Sequence, residues 1–186
     1  DFYETFGDDA HIASEVLGIV LTKRSNGTAA EEDLAGFPYH SLDTFLPRLV
    51  RAGYRVAICE QLEDPKLAKT IVKRGVTELV TPGVVFTDNV LSQKENNFLA
   101  TCYSQNEVYG LALLDVSTGD FLATQGSSDF IKRILDSYHP TEVLLSKEQK
   151  DQFIELFGNY PVFTFEKWIF QFDFARDKLI EQFETD

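Results

Sequence analysis

Apolar residues recur with two different periods along the first eighty positions, and the alternation between the two predicts a mixed α/β unit. Ala10, Ala13, Val16 and Leu17 fall on one side of a helix, as a 3.6-residue repeat requires. Asp8 and Asp9 stand where N-caps belong, and Gly18 can close the helix in a left-handed turn. Ile19 to Thr22 then reads as a strand. Leu42, Phe45, Leu46, Leu49 and Val50 recur at i, i+3, i+4, i+7 and i+8, a second helix capped by Ser41 and ending at Gly53. Pro47 inside it removes one backbone donor and should bend it. Val56 to Cys59 and Val76 to Val80 are short β-branched strands. Between them, the stretch after Asp64-Pro65 is expected to be a further helix carrying Lys66, Lys69 and Lys73.

Thr81-Pro82-Gly83 and the polar stretch Asp88 to Asn97 read as a linker, dividing the chain into residues 1–81, a connection over 82–97 and a second unit over 98–186. In that second unit Phe98 to Tyr103, Tyr109 to Asp115 and Phe121 to Thr124 are strands, with Ser117-Thr118-Gly119 as a hairpin turn. A helix through Phe130, Ile131, Ile134 and Leu135 follows. Strand Glu142 to Leu145, helix Lys147 to Phe157 and strand Val162 to Phe165 come next. A closing helix holds Trp168, Phe170, Phe172, Phe174, Leu179 and Phe183, read as core packing. A three-strand meander followed by alternating helix and strand is the order that a ribonuclease H-like architecture produces.

Composition narrows the class. With 44% apolar residues the chain can bury a real core. Cys59 and Cys102 lie far apart without metal-ligand spacing, and read as reduced, buried small apolar groups. No apolar run reaches 18 residues and no charged-then-apolar leader is evident, so a soluble protein that neither spans a membrane nor is secreted is expected. The sequence contains no Met, which suggests a piece of a longer protein. The net charge of −13 is wrong for a free-standing DNA binder. The acid is concentrated late: residues 1–81 carry nine Lys/Arg against thirteen Asp/Glu, and residues 82–186 carry eight against seventeen. Lys66, Lys69, Lys73 and Arg74 form an all-basic run, and Lys23, Arg24, Arg48, Arg51 and Arg55 add positive positions; a solvated charged face is the plainer reading of each.

Catalytic patterns are scarce. No G-x-x-x-x-G-K-[ST] loop or G-x-S-x-G elbow occurs, and His11, His40 and His139 are scattered. A ribonuclease H-like unit raises one enzymatic alternative, a metal-dependent nuclease whose carboxylates hold two Mg²⁺ or Mn²⁺ ions. Asp115 would be the first ligand, and Glu142 and Asp173 could only be guessed as partners, since no pattern links them to it. The simpler reading has Asp115 hydrogen-bonding the amides of the turn it leads.

At the start of the chain, Phe2 and Glu4 are spaced i, i+2 and project from one surface of an extended segment. A ring so placed can wedge between stacked bases while the carboxylate bonds a base edge. This motif opens a sequence that resembles the MutS family of DNA mismatch-repair proteins in its first two domains. The resemblance rests on Asp1-Phe2-Tyr3-Glu4 with Phe6 and Asp8-Asp9-Ala10, on Leu21-Thr22-Lys23-Arg24, on Leu34-Ala35-Gly36-Phe37-Pro38-Tyr39-His40, on Val56-Ala57-Ile58-Cys59-Glu60-Gln61 and on Val80-Thr81-Pro82-Gly83, in the family's order and spacing. Leu113-Leu114-Asp115-Val116-Ser117-Thr118-Gly119 resembles its connector domain.

The resemblance implies a small mixed α/β mismatch-binding domain followed by a ribonuclease H-like connector domain. Phe2 and Glu4 would be the mismatch reader, wedging from the minor groove. Arg24 and Arg74 would contact the DNA backbone. The segment Leu34 to His40 would approach the groove as a loop, with Gly36 allowing close passage, Phe37 and Pro38 packing equally well on the next helix, and Leu34, Tyr39 and His40 as contacts. The connector would relay the signal and dock a MutL-type repair protein, its acidic surface suiting a basic patch. The resemblance further implies a cytoplasmic location, with no metal or cofactor in this segment. ATP, Mg²⁺ and a homodimer are expected only of the full-length protein.

Overall fold

Strands β1 (Phe2–Phe6), β2 (Leu21–Ser25) and β3 (Glu31–Pro38) form an antiparallel sheet with β3 in the middle. The computed structural model describes residues 2–25, 31–63, 72–84 and 97–184, and they fall into two units, the first ending at Pro82. Helices α1 (Asp8–Leu17) and α2 (Leu42–Arg51) belong to the first unit. Ala10, Ala13 and Leu17 of α1 pack with Ala35, Phe37 and Leu49. Alanines at the contact positions let α1 lie close to the sheet, and Ala10 and Ala35 are fully buried.

Several local details depart from the sequence reading. Gly7, not an aspartate, takes the N-cap of α1 at φ 55°, and Asp8 and Asp9 sit in the first turn, where their charge favours the positive end of the helix. Gly18 does close the helix in the left-handed region, at φ 69°. Ser41 makes no capping hydrogen bond, because the chain enters α2 through a 3-10 turn over Tyr39–Ser41. Pro47 is buried inside α2, which continues to Arg51.

The largest departure is the segment expected to be a loop from Leu34 to His40. Its first five residues belong to the central strand β3. Gly36 and Pro38 lower strand propensity and hid it from the pattern. The strand expected at Ile19 to Thr22 runs instead from Leu21 to Ser25, with every residue exposed. A strand exposed along its whole length leaves no hydrophobic alternation to read.

Strands β4 (Val56–Gln61) and β5 (Arg74–Val80) pair as a separate antiparallel ribbon, with an irregularity at Ile58/Cys59. Cys59 is exposed on it, against expectation, whereas Cys102 is buried. The helix expected after Asp64-Pro65, with Lys66 and Lys69, lies outside the described residues, as does most of the expected linker.

The second unit contains β6 (Phe98–Gln105), β7 (Val108–Asp115), β8 (Asp120–Gly126), α3 (Ser128–Tyr138), β9 (Glu142–Ser146), α4 (Lys150–Phe157), β10 (Val162–Phe165) and α5 (Phe172–Phe183). Its sheet runs in the order β10-β9-β6-β7-β8. The β6-β7-β8 meander is antiparallel, while β9 lies parallel to β6 and β10 parallel to β9. Alternate residues of β6 and β7 (Phe98, Ala100, Cys102, Tyr109, Leu111, Leu113) pack against Ile131, Leu135, Phe153 and Phe157 of α3 and α4.

The closing helix is not the core element expected. Trp168 and Phe170 lie in a 3-10 turn ahead of α5, and α5 itself has no buried residue. Trp168 is 53% exposed and Phe172 77%, so these rings pack against their neighbours rather than inside. No helix among the described residues is long and apolar enough to cross a membrane.

Candidate nucleic-acid interface

Register decides which side chains β1 presents. Phe2, Glu4 and Phe6 stand opposite Pro38, Gly36 and Leu34, and Leu34 stands opposite Thr22. Paired residues share a face of the sheet, so Phe2, Glu4, Phe6, Leu34, Thr22 and Arg24 lie on one side. Tyr3, Ala35 and Phe37 lie on the other, over α1 and the core. The first side is open: Phe2 is 64% exposed.

Tyr3 anchors the strand between its two exposed neighbours. Its ring stacks on Tyr39 at 5.2 Å and lies 5.9 Å from Phe37. Its hydroxyl donates to the Glu60 carboxylate on β4. Burial and then the Glu60 hydrogen bond push the phenol above its ordinary range. Gly36 permits the approach of β1, since a Cβ there would stand 2.8 Å from the Tyr3 carbonyl oxygen and 3.4 Å from Cγ of Glu4. Its close contact is therefore with β1.

The open face also holds a pairing that the sequence did not suggest. Arg24 Nη1 donates to Glu4 Oε2 at 3.1 Å. Of the other candidates, Leu34 shares this face and is partly buried. Tyr39 is turned toward Tyr3 from the 3-10 turn, where His40 is exposed. Arg74 begins β5 opposite Gln61, one residue from the Gly75 that faces Glu60. The register thus places Phe2, Glu4, Arg24 and Leu34 on one face of the first sheet, while Tyr39 and His40 belong to the 3-10 turn and Arg74 to β5. The Glu4 to Arg24 contact could have been found only from the register of both β1 and β2 on β3, which a hidden central strand conceals.

The carboxylates of the second unit are arranged differently. Asp115 Oδ1 accepts from the Ser117 amide at 2.9 Å, the Ser117 hydroxyl at 2.6 Å and the Thr118 amide at 3.4 Å, while Oδ2 accepts from the Asn97 amide at 3.0 Å. Burial alone would raise its pKa, but these donors outweigh it and hold the carboxyl below its ordinary value. Buried Glu142 accepts from the Gly83 amide at 3.1 Å. Asp173 lies in the first turn of α5. Among the described residues no three His, Cys, Asp or Glu side chains gather as a metal-ligand set. Burial pushes the Cys102 thiol up to about 12, which leaves it unreactive.

Comparison with known proteins matches both halves of the chain. Residues 1–89 match the profile of MutS domain I, and residues 97–186 that of MutS domain II. Over 186 residues, all of this chain, it is 60% identical to the DNA mismatch repair protein MutS of Cytophaga hutchinsonii and 55% identical to that of Flavobacterium psychrophilum, covering 22% of each. Against MutS of Porphyromonas gingivalis the identity is 55% over 185 residues, 99% of this chain and 21% of the relative. The chain therefore spans about a fifth of the length of these relatives, and the matched domains do not include the family's ATPase domain.

Proposed function

Because the chain belongs to the MutS family of DNA mismatch-repair proteins, we propose that its first unit reads mismatched or unpaired bases and its second connects that reader to the rest of the repair machinery. The observation that carries this is the open face of the first sheet, where a 64% exposed phenylalanine stands two residues from a carboxylate. Phe2 is the wedge. It enters from the minor groove and unstacks a base step, at a cost of a few kcal/mol. Bending the duplex by 40–90° adds roughly 1–6 kcal/mol. A mismatched step has already lost part of its stacking, so it meets these demands more cheaply than a paired one. Glu4 bonds the displaced base, and Arg24 and Arg74 contact the backbone, with Leu34, Tyr39 and His40 in reach of the groove.

The division we propose is a reader over residues 1–81, a connection over 82–97 and a connector over 98–186. The strand order and directions of the second sheet support a ribonuclease H-like connector. Its Asp115 and Glu142 bond protein amides, which favours a connector over a metal-dependent nuclease. The MutL-type partner, ATP, Mg²⁺, the homodimer and the cytoplasmic location belong to this proposal for the full-length protein.

The test is Phe2→Ala in the full-length protein, with affinities for G·T and matched duplex measured at one salt concentration. The ratio should fall about fivefold or more, since stacking one base on an aromatic ring contributes about 1–3 kcal/mol. An unchanged ratio removes the wedge. The 186-residue chain alone, at net −13, should bind either duplex no tighter than the roughly 10⁻⁴–10⁻⁶ M of non-specific binders. A titration reaching about 10⁻⁷ M, beyond that range, would make the first unit a self-sufficient reader.

A further inference from the structure

We propose that Arg24 is a positioning residue for Glu4, pairing with it while the reader is free and leaving it for a DNA phosphate on binding; this rests on the assignment of Glu4 as base contact. The two side chains meet from the outer strands of the sheet, Arg24 on β2 and Glu4 on β1, at 3.1 Å. By register Arg24 stands opposite Glu32 and Glu4 opposite Gly36, so Leu34 is the residue between them on β3. Glu4 lies beside Gly36 of the central strand, where a Cβ would stand at van der Waals distance, 3.4 Å, from Glu4 Cγ.

Both partners are open to competition, the Arg24 side chain 52% exposed and that of Glu4 35%. An exposed pair of this kind is weak. The bond uses one guanidinium nitrogen, whereas a phosphate can take two parallel N–H donors. Charge on the face makes the exchange matter. Among its described strand residues Arg24 is the one cation, and Glu4 and Glu32 are the anions. When a phosphate draws Arg24 away, Glu4 is left facing the duplex. A displaced base that donates to the carboxylate compensates it, and a correctly stacked pair does not. Arg24 thereby contributes to specificity through Glu4 as well as to affinity through the backbone.

A double-mutant cycle in the full-length protein tests this, with Glu4→Gln, Arg24→Gln and the pair, each titrated with matched and G·T duplex at one low salt concentration. Glu4→Gln should tighten matched-duplex binding by freeing Arg24. Arg24→Gln should weaken matched-duplex binding about threefold less when Glu4 is present than in the Glu4→Gln background, the size of one exposed ion pair. Arg24→Lys should retain that coupling, and melting temperatures should agree across the set. Additive effects, or coupling of the opposite sign, overturn the exchange while leaving Glu4 as reader. A Glu4→Gln protein with unchanged discrimination overturns the reader assignment and the exchange with it.

Discussion

Glu4 and Asp115 are both carboxylates on strands, and their surroundings are opposite. Asp115 is 1% exposed and accepts from four donors within its own unit. Glu4 is partly open, with one contact to a more exposed arginine. A buried carboxylate must be fully bonded to exist there, and a fully bonded one has nothing left to offer a ligand. The comparison extends to the two sheets. The second has α3 and α4 over a core that includes Ile131 and Leu135 at 0% exposure. The first is covered by α1 on one face, and on the other Phe2 and Phe6 are exposed. The tightly bonded carboxylate sits beside the sealed core, and the proposed recognition falls on the more open sheet face.

The sharpest way to break that division is to cut into the second core. Leu135→Ala should destabilise the second unit by about 2–5 kcal/mol, the range for truncating a buried leucine. Discrimination between G·T and matched duplex should survive at temperatures where the protein remains folded. Thermal melts and duplex titrations on one preparation check both, and lost discrimination in folded protein would tie the reader to that core.

Asp115→Asn probes the silent carboxylate itself. The amide replaces one acceptor oxygen by a donor aimed at an N–H group, so stability should fall by about 1–3 kcal/mol with DNA affinity unchanged. Because the native carboxyl is held below its ordinary value, its contribution is present above the unfolded value of about 3.9 and is lost as pH falls through the folded value. Wild type should therefore lose stability below about pH 4 more steeply than the variant. With Mg²⁺ or Mn²⁺ neither protein should cleave DNA or an RNA–DNA hybrid. Cleavage by wild type that Asp115→Asn abolishes would turn the connector into a nuclease.

The second unit was the more legible in sequence, for a physical reason. Phe98, Ala100 and Cys102, and Tyr109, Leu111 and Leu113, alternate because one face of their strands is sealed, and sealing writes itself into the sequence. Strand β2 is exposed throughout, and β3 carries a glycine and a proline, so neither left that trace. Aromatic content misled at α5, since Phe172 and Trp168 are apolar without being covered. At the candidate site, the shared face of Phe2 and Glu4 follows from strand geometry alone. The proximity of Arg24 depends on a central strand that the pattern did not show.

Tyr3→Phe sharpens the comparison at the smallest scale, because it alters the covered side of β1 without touching the open one. The phenylalanine ring keeps the stack on Tyr39 and the contact with Phe37, and the hydroxyl's hydrogen bonding, to Glu60 foremost, is lost. Stability should fall by about 1 kcal/mol, the net value of one such bond at a partly exposed site. The phenol of Tyr3 is raised in the folded state by burial and by Glu60. Its contribution is therefore complete below the unfolded tyrosine value of about 10, and is lost as pH rises from there toward the folded value. The difference in unfolding free energy between wild type and Tyr3→Phe should accordingly be constant at neutral pH and shrink above about pH 10. If instead the variant matches wild type in stability but loses mismatch discrimination, Tyr3 sets the angle of its two exposed neighbours rather than the strength of the fold, and the covered face takes part in reading.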